Sequence, residues 1–361
     1  MKTVMLLGPS LDAVSGVSTH LNLLFRSRLS EEFNLLHFQV GSQGRAESVP
    51  KKLFRFLFSP FQFLERLIRD DPQIVHVNTS MDPKGYWRDL VYLAIARALG
   101  KKIVYQVHGG ASPQKFFENS RLASLLLRQV LRSADVVVLL GQESLRAYRT
   151  FSPDLNLEVI PNAIELVADP EWKRIPSAQD RPLQLAYVGR LSESKGVFEI
   201  IEALRILHER GKDMQLTIAG NGPDEARLCT RVEDLGLQQK VRFMGVVHGK
   251  ERDRVWNESD LFVFPSYHEA LPYSLLESMA ARTPALVSRV GAIPDVMEDG
   301  VHGLFVQLRN PQALADAIDR LDNDRALIRR MGESSRQRIV SYYTIDRLAG
   351  DFGRTYLDIL K

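Results

Sequence analysis

Two glutamates, Glu269 and Glu277, flank the start of a predicted helix in the second half of the chain. An apolar run ends at Pro265, and the helix is predicted to begin near Leu271 or Pro272, because proline suits the first helical turn. The first N–H groups of a helix lack intrahelical acceptors, and together with the helix dipole they favour an anion. Here those groups would belong to Tyr273, Ser274 and Leu275. The pattern predicts an anion site between two carboxylates.

Carboxylates beside an anion site indicate a ligand that is more than a bare phosphate. Ionised carboxylates accept strong hydrogen bonds from hydroxyl groups. A sugar nucleotide carries both hydroxyls and a diphosphate, so Glu269 and Glu277 suit such a ligand. The alternative is a core helix with a surface glutamate at each end.

Two cations follow an earlier predicted strand, at 183–188. Arg190 and Lys195 lie between Gly189 and Gly196 at a strand-to-helix turn, and Gly220 opens a further turn after the strand 215–219. Arginine binds phosphate oxygens in a bidentate manner, lysine acts as a point charge, and glycine lets a ligand approach the backbone. The pattern predicts a diphosphate site, although the order of a Walker loop is absent. Two surface cations beside a helix are the alternative.

Polar residues also follow or end predicted strands in the first half of the chain. His108 follows the strand 102–107, and Asn78 closes the strand 73–78. Ligands of open α/β sheets bind at the carboxyl ends of strands, so His108 is a candidate for catalysis and Asn78 for acceptor binding. Gly16, at the first strand-to-helix turn, would let a ligand reach backbone N–H groups. A structural histidine and a structural turn are the alternatives, and this turn is not the dinucleotide fingerprint.

The elements that must position these residues alternate between strand and helix. This alternation predicts an α/β fold with parallel sheets and helices on both faces. We expect a first Rossmann-like domain over 1–166, a polar linker over 167–182, and a second Rossmann-like domain over 183–340. The helix that follows Gly16 is predicted to run to about Leu29, and the last helix is predicted over 342–360.

The segment Lys51–Arg69 combines bulky aromatic residues with positive charge. Apolar residues recur at helical spacing, and lysines and arginines accompany them. A basic, aromatic and amphipathic helix is typical of segments that lie on an anionic membrane surface. The alternative is a helix packed on the sheet with solvated lysines. Pro60 predicts an interruption of this helix.

Composition excludes several classes of protein. A net charge of +3 over 361 residues gives no electrostatic basis for nucleic-acid binding. One cysteine rules out an internal disulfide, and no Cys/His spacing suits zinc. No apolar run approaches the roughly 18 residues of a membrane span, and the N-terminus reads as a buried strand rather than a signal peptide. We therefore expect a cytoplasmic protein, peripheral at most to the inner face of the cytoplasmic membrane.

The stretch around Glu269 resembles the Glu-x7-Glu region of the retaining glycosyltransferases of family 4, which have the GT-B fold. The pattern is met by Glu269, Pro272, Glu277, Ser278, Met279 and Ala280. The string from Gly189 to Gly196 is similar to the family's Gly-Arg-Leu…Lys-Gly motif, and Gly220 lies in another similar turn. The resemblance implies two Rossmann-like domains with parallel sheets facing across a cleft. It also implies that a C-terminal helix over 341–361 crosses back to the first domain.

The resemblance implies roles for the candidate residues. Those expected on the nucleotide-sugar donor are Gly189, Arg190, Lys195, Gly220, Leu271, Pro272, Tyr273 and Ser274. Glu269 would hold sugar hydroxyls, and Glu277 would hold the ribose hydroxyls. His108 would contact the donor sugar near the reacting carbon. Gly16 would lie in a loop between the donor phosphates and the acceptor.

The expected activity is the retaining transfer of a hexose-type sugar from a nucleotide diphosphate sugar to a hydroxyl of a glycan or lipid-linked acceptor, in surface polysaccharide or glycolipid synthesis. No cofactor or metal is expected, since Arg190 and Lys195 would neutralise the diphosphate, and the one Asp-x-Asp string, 322–324, falls between late helices. Ala270 and Leu271 replace the commoner Gly-Phe pair, which leaves the sugar open, and the nucleotide base, acceptor and linkage are also open. The alternatives are a GT-B sugar-nucleotide 2-epimerase and a non-catalytic nucleotide-sugar-binding subunit.

Overall fold

The computed structural model describes residues 1–41, 48–117, 120–166 and 181–361. The chain forms two compact units, which consist of Met1–Glu165 with Thr344–Lys361 and of Leu166–Tyr343. We call them the N-terminal unit and the C-terminal unit. Most of the predicted linker, at 167–180, lies outside the described residues.

Strands and helices alternate along the N-terminal unit. In chain order its elements are β1 (Lys2–Gly8), α1 (Gly16–Arg26), α2 (Leu29–Glu32), β2 (Phe33–Gln39), α3 (Val49–Asp70), β3 (Ile74–Met81), α4 (Pro83–Ala98), β4 (Lys102–Gly110), α5 (Pro113–Phe116), α6 (Arg121–Arg132), β5 (Val136–Leu139), α7 (Gln142–Phe151) and β6 (Leu157–Val159). The strands pair in parallel in the order β2-β1-β3-β4-β5-β6. The predicted parallel α/β arrangement is confirmed for this unit.

Two features near the start of the chain differ from the sequence prediction. Helix α1 ends at Arg26 rather than at about Leu29, because Ser27 adopts an extended backbone and donates its N–H to the Leu24 carbonyl at 3.3 Å. The strand β2 is absent from the prediction. It lies at the edge of the sheet and is only partly buried, so it lacks the continuous apolar run that marks a central strand.

Helix α3 runs without a break through Pro60, so the predicted interruption is wrong. Proline removes one backbone hydrogen bond from a helix, and packing on both sides of it can outweigh that loss. Beyond the proline, Phe63 and Leu67 are buried in the core. Just before it, the Ser59 hydroxyl lies 2.6 Å from the Tyr92 hydroxyl of α4.

The C-terminal unit repeats the alternation of strand and helix. A 3-10 turn (Glu193–Lys195) follows its first strand, and its other elements are β7 (Leu183–Val188), α8 (Val197–Glu209), β8 (Met214–Ala219), α9 (Glu225–Asp234), β9 (Val241–Gly245), α10 (Lys250–Glu258), β10 (Leu261–Phe264), α11 (Tyr273–Ala280), β11 (Ala285–Ser288), α12 (Ile293–Val296), β12 (Gly303–Val306), α13 (Pro311–Asn323) and α14 (Arg325–Tyr342). Strands β7, β10 and β11 have the predicted bounds.

The strand order of the C-terminal sheet reverses at one point. The parallel strands lie in the order β12-β11-β10-β7-β8-β9. From β7 the chain proceeds outward to β8 and β9, and from β10 it proceeds outward in the other direction. Such a topological switch point leaves a crevice at the carboxyl ends of the two central strands.

The last helix, α15 (Ile345–Ile359), belongs to the N-terminal unit. Its predicted start at Tyr342 is wrong, because Tyr342 ends α14. Thr344 then caps α15 by accepting a hydrogen bond from the Arg347 N–H at 3.3 Å. The same threonine forms a parallel bridge with Ile164.

The two faces of the N-terminal sheet differ in polarity. On one face, α3, α4, α6 and α7 share an apolar core with the central strands, to which Val75 and Val77 contribute. Side chains alternate along a strand, so the intervening His76 points to the opposite face. There His76 lies 2.7 Å from the Tyr356 hydroxyl of α15, which packs with α1. Polar residues on this second face lead to the candidate site of the N-terminal unit.

Candidate active site

The loops that follow β7 and β10 meet at the switch point of the C-terminal sheet. Lys195 places its ammonium nitrogen Nζ 2.5 Å from Oε1 of Glu269. The Lys195 side chain is 25% exposed and that of Glu269 is 10% exposed. Two predicted site residues that are 74 positions apart in sequence are therefore brought together at the carboxyl edge of the sheet.

Arg190 follows β7 at the same edge, and it is exposed. Its backbone is anchored, because the Tyr187 hydroxyl donates to the Arg190 carbonyl oxygen at 2.7 Å. An exposed guanidinium keeps its full charge for a ligand, whereas Glu269 partly balances the charge of Lys195. Of these two predicted cations, Lys195 is paired with a carboxylate, whereas Arg190 forms no ion pair with a described residue.

Close backbone packing joins the two loops. Gly196 has a φ of +72°, and a Cβ at this position would lie 2.3 Å from the carbonyl oxygen of Pro265. The Tyr267 N–H donates to the Ser194 carbonyl at 2.9 Å. These contacts hold the loop that carries Lys195 against the loop that carries Glu269.

The predicted glycines Gly189 and Gly220 pack against each other. Gly220 has a φ of +137°, and a Cβ there would lie 1.9 Å from the Gly189 carbonyl oxygen. The Gly189 N–H in turn donates to the Ala219 carbonyl at 3.0 Å. Glycine is required here for the approach of two strand ends, whatever contact a ligand makes.

Helix α11 begins at Tyr273, so the predicted start at Leu271 or Pro272 is early. Pro272 is the N-cap, with φ −73° and ψ 132°, because its extended backbone lies outside the helix. The first helical N–H groups are those of Tyr273, Ser274 and Leu275, as predicted. Leu271 is 4% exposed, so a ligand would meet its backbone rather than its side chain. The Ala292 N–H holds this loop by donating to the Ala270 carbonyl at 2.7 Å.

Glu277 lies further along α11 than these N–H groups, and it has a partner that the sequence prediction missed. Arg252 of α10 places Nη1 3.1 Å from the Glu277 Oε1. Burial raises the pKa of Glu277, and the charge of Arg252 opposes that rise. No local pattern links these two residues, because they belong to different helices.

In the N-terminal unit, His108 lies inside β4, which continues to Gly110. Its Nε2 donates to Oδ1 of Asn78, 2.9 Å away. Burial lowers the pKa of His108 to about 3, so the imidazole is neutral at physiological pH. With the proton on Nε2, Nδ1 is left as a hydrogen-bond acceptor.

Asn78 does not end its strand as predicted, because β3 continues to Met81 beside β4. It is 2% exposed, and its amide nitrogen lies 3.5 Å from the His76 carbonyl oxygen. That contact orients its amide oxygen towards His108. Asn78 is therefore buried and bonded to His108, and its role in acceptor binding stays a prediction.

Two further histidines lie beside His108, and the sequence prediction did not single them out. His20 of α1 contacts the His108 ring edge to face, with ring centroids 4.7 Å apart. His76 places Nδ1 2.7 Å from the Tyr356 hydroxyl and Nε2 3.0 Å from Oε1 of Gln106. Burial lowers the pKa of both residues, that of His76 to about 3. For His76, the available signal was the alternation of polar residues within the apolar strands β3 and β4.

Gly16 is the first residue of α1, where the chain leaves the carboxyl end of β1. The Ser15 hydroxyl caps this helix by accepting from the Ser18 N–H at 3.1 Å. The φ of Gly16 is not positive, so its backbone conformation does not itself demand glycine. Room for a neighbouring group is the remaining physical reason for glycine here.

The Asp-x-Asp string lies away from this edge. Asp322 accepts from Arg325 at 2.5 Å and lies 3.5 Å from Nζ of Lys212, which precedes β8 at the amino edge of the sheet. Asp324 caps α14. Across the described ranges, no group of three His, Cys, Asp or Glu residues is placed to hold a metal ion.

Two family models match the chain. Glycosyltransferase Family 4 matches residues 25–167, and Glycosyl transferases group 1 matches residues 168–338. The alpha-D-kanosaminyltransferase of Streptomyces kanamyceticus is 30% identical over 307 residues, which are 79% of this chain and 78% of that relative. The chain covers only about half of some other curated relatives that it matches, 55% in one case and 50% in another.

Solved structures share the fold at low sequence identity. A sucrose-phosphate synthase from Thermosynechococcus elongatus superposes with a TM-score of 0.80 at 19% identity, covering 100% of this chain and 99% of that one. HepE of Anabaena, in complex with UDP-glucose, superposes with a TM-score of 0.78 at 16% identity, covering 99% and 100%. The family matches, the kanosaminyltransferase relative and the two parallel sheets together show that this chain belongs to the glycosyltransferases of family 4 and has the GT-B fold.

Proposed function

We propose that the chain transfers a hexose-type sugar, with retention at the anomeric carbon, from a nucleotide diphosphate sugar to a hydroxyl of a glycan or lipid-linked acceptor. The observation that carries the proposal is the Lys195–Glu269 pair at the switch point, with Arg190 in the loop after β7 and the N-terminus of α11 after β10. The similar fold of HepE in complex with UDP-glucose makes UDP-sugars the first donors to test.

The cations and the helix end would stabilise charge on the leaving diphosphate. When the bond between the anomeric carbon and the diphosphate oxygen breaks, the electron pair leaves with the phosphate. Arg190 and Lys195 would neutralise that charge, and the dipole of α11 would add to the field. The acceptor oxygen then bonds to the anomeric carbon from the same face, and its proton passes to the leaving phosphate oxygen. No protein nucleophile and no metal enters this scheme.

The carboxylates would orient the donor. The Lys195–Glu269 pair can open on binding, because the diphosphate offers Lys195 a stronger anion and sugar hydroxyls offer Glu269 donors. Glu277, steadied by Arg252, would accept from the ribose hydroxyls. His108 would accept a hydrogen bond from a sugar hydroxyl at Nδ1, because its bond to Asn78 keeps the ring proton on Nε2.

Donor binding and transfer are tested with matched lysine variants. A thermal-shift panel of UDP-, GDP- and ADP-sugars identifies the donor, and transfer is then measured with Lys195→Ala. We expect turnover to fall by about a hundredfold to a thousandfold, as when one stabiliser of developing charge is lost. Lys240→Ala is the control, because it breaks another 2.5 Å lysine–carboxylate pair of the same unit, to Asp213 at the amino edge. Near-normal turnover of the first variant would refute the leaving-group role.

The two alternatives give different products. A 2-epimerase would convert the donor without any acceptor, and a non-catalytic subunit would bind the donor but neither hydrolyse nor transfer it. Retention is tested by the anomeric configuration of the product in NMR. The setting we propose is surface polysaccharide or glycolipid synthesis, with peripheral contact of the segment Lys51–Arg69 with an anionic membrane.

A further inference from the structure

Exposed apolar side chains are concentrated on three helices of the N-terminal unit. Of the nineteen large hydrophobic side chains that are exposed in the described part of the chain, eleven lie on α3, α4 and α6. Phe61 of α3 is 70% exposed, Trp87 of α4 is 48% exposed, and Leu122 of α6 is 69% exposed. Apolar patches of this kind mark surfaces that bind a partner or a membrane.

These side chains lie on one side of the unit. The inward residues of α3, α4 and α6 belong to a single core on one face of the sheet, so the outer surfaces of the three helices form the outside of one layer. Helices α3 and α4 touch through Phe63 and Tyr92, whose rings are 5.1 Å apart. Helix α4 meets the segment before α6 through Trp87 and Phe117, whose rings are 6.3 Å apart.

Basic residues outnumber acidic ones on these helices. Residues 49–64 and the whole of α6 contain no aspartate or glutamate. The one acid within α4, Asp89, is 1% exposed and pairs with Arg88 at 2.7 Å. Lys52 and Arg121 are exposed among the apolar side chains, and Arg55 is partly exposed. Towards the end of α3, the exposed Glu65 lies 3.8 Å from Arg69, and Asp70 pairs with Arg66 at 2.5 Å. The basic side chains outnumber these acids, so the face attracts negative charge.

We infer that this surface, formed by α3, α4 and α6, binds an anionic lipid bilayer. The inference rests on the proposed function through the lipid-linked acceptor, and it extends the contact from the segment Lys51–Arg69 to two further helices. Phenylalanine, tryptophan and leucine side chains enter the boundary between headgroups and acyl chains, while the cations contact lipid phosphates. Among the described residues, none of the helices has the length and hydropathy of a membrane span.

The test compares vesicle binding of three variants in the absence of donor and acceptor. The full-length protein is sedimented with phosphatidylcholine vesicles and with vesicles that also contain phosphatidylglycerol. A Lys52→Glu/Arg55→Glu/Arg121→Glu variant should bind anionic vesicles at least about a hundredfold more weakly, because each basic residue near such a surface contributes about fivefold. The control variant, Arg26→Glu/Arg354→Glu/Lys361→Glu, changes the charge equally on α1, α15 and the C-terminus, and it should bind like the wild type.

A third variant tests the apolar part of the surface. The variant Phe58→Ser/Phe61→Ser/Leu125→Ser alters only exposed side chains, so it should fold. It should lose the part of vesicle binding that the wild type keeps when salt screens the charges. Equal binding of all variants, or no binding of the wild type, would overturn the inference. The inference would also be overturned if the wild type is a dimer and this apolar variant is a monomer, because the surface would then bind a second copy of the chain. Donor-induced thermal stabilisation reports the C-terminal unit and should be kept in every variant. If it is absent, the proposed function fails rather than the inference about the membrane.

Discussion

The buried histidines should make the N-terminal unit lose stability in weak acid. His76 is fully buried, and burial lowers the pKa of His76 and of His108 to about 3. In the unfolded chain a histidine has a pKa of about 6.5. Below that pH the unfolded chain binds protons that the folded unit does not accept, so stability is complete above about pH 6.5 and falls as the pH drops towards about 3.

The magnitude follows from the two pKa values. At about pH 5 each histidine is about 1.5 pH units below its unfolded pKa, which costs about 2 kcal/mol of folding free energy. His76 and His108 together would then cost about 4 kcal/mol, and His20, whose pKa is also lowered, acts in the same direction. A domain is stable by only about 5–15 kcal/mol, so this loss is large.

Hydrogen exchange measured by mass spectrometry can localise the effect. Amides of β3 and β4 should lose protection between about pH 7.5 and about pH 5, after correction for the intrinsic pH dependence of exchange, while those of β7 and β10 lose less. His76→Gln should remove about half of the loss, because the amide can still donate to Gln106 but cannot be protonated. His248→Gln, at an exposed position, is the control and should keep the full loss. Equal protection of β3 at both pH values would refute the reasoning.

Three further outcomes are expected. Gly196→Ala should lower Tm and abolish donor-induced stabilisation, because its Cβ would meet backbone at 2.3 Å. The control Gly211→Ala has a similar φ, +74°, and no atom within 4 Å of its Cβ, so it should cost only about 1 kcal/mol in thermal unfolding. Equal effects of the two variants would contradict the loop contact. Asn78→Asp should raise the pKa of His108, followed by NMR of its ring, because a carboxylate favours the imidazolium; an unchanged titration would mean that the hydrogen bond is absent. Transfer should persist in EDTA if protein cations neutralise the diphosphate, and a complete loss that Mg²⁺ restores would show that they do not.

Local sequence was enough to predict the elements that carry the proposed donor site. The bounds of β7, β10 and β11 are those of their apolar runs, and the turns that follow carry Arg190, Lys195 and Glu269 in the expected positions. These signals are local because a buried parallel strand must be apolar, and a ligand-binding turn must supply charge or glycine at the strand end. The same local reasoning failed at Pro60, because α3 continues past the proline, where Phe63 and Leu67 pack in the core.

Only the tertiary structure decided which distant residues meet. Lys195 pairs with Glu269 because β7 and β10 are neighbours at a switch point, and His76 meets Tyr356 across 280 positions because α15 returns to the N-terminal unit. The sequence by itself determined the chemistry of each turn and the amphipathic character of each helix. Sheet order and the side on which each helix crosses are set by packing between remote segments, and no local periodicity encodes them.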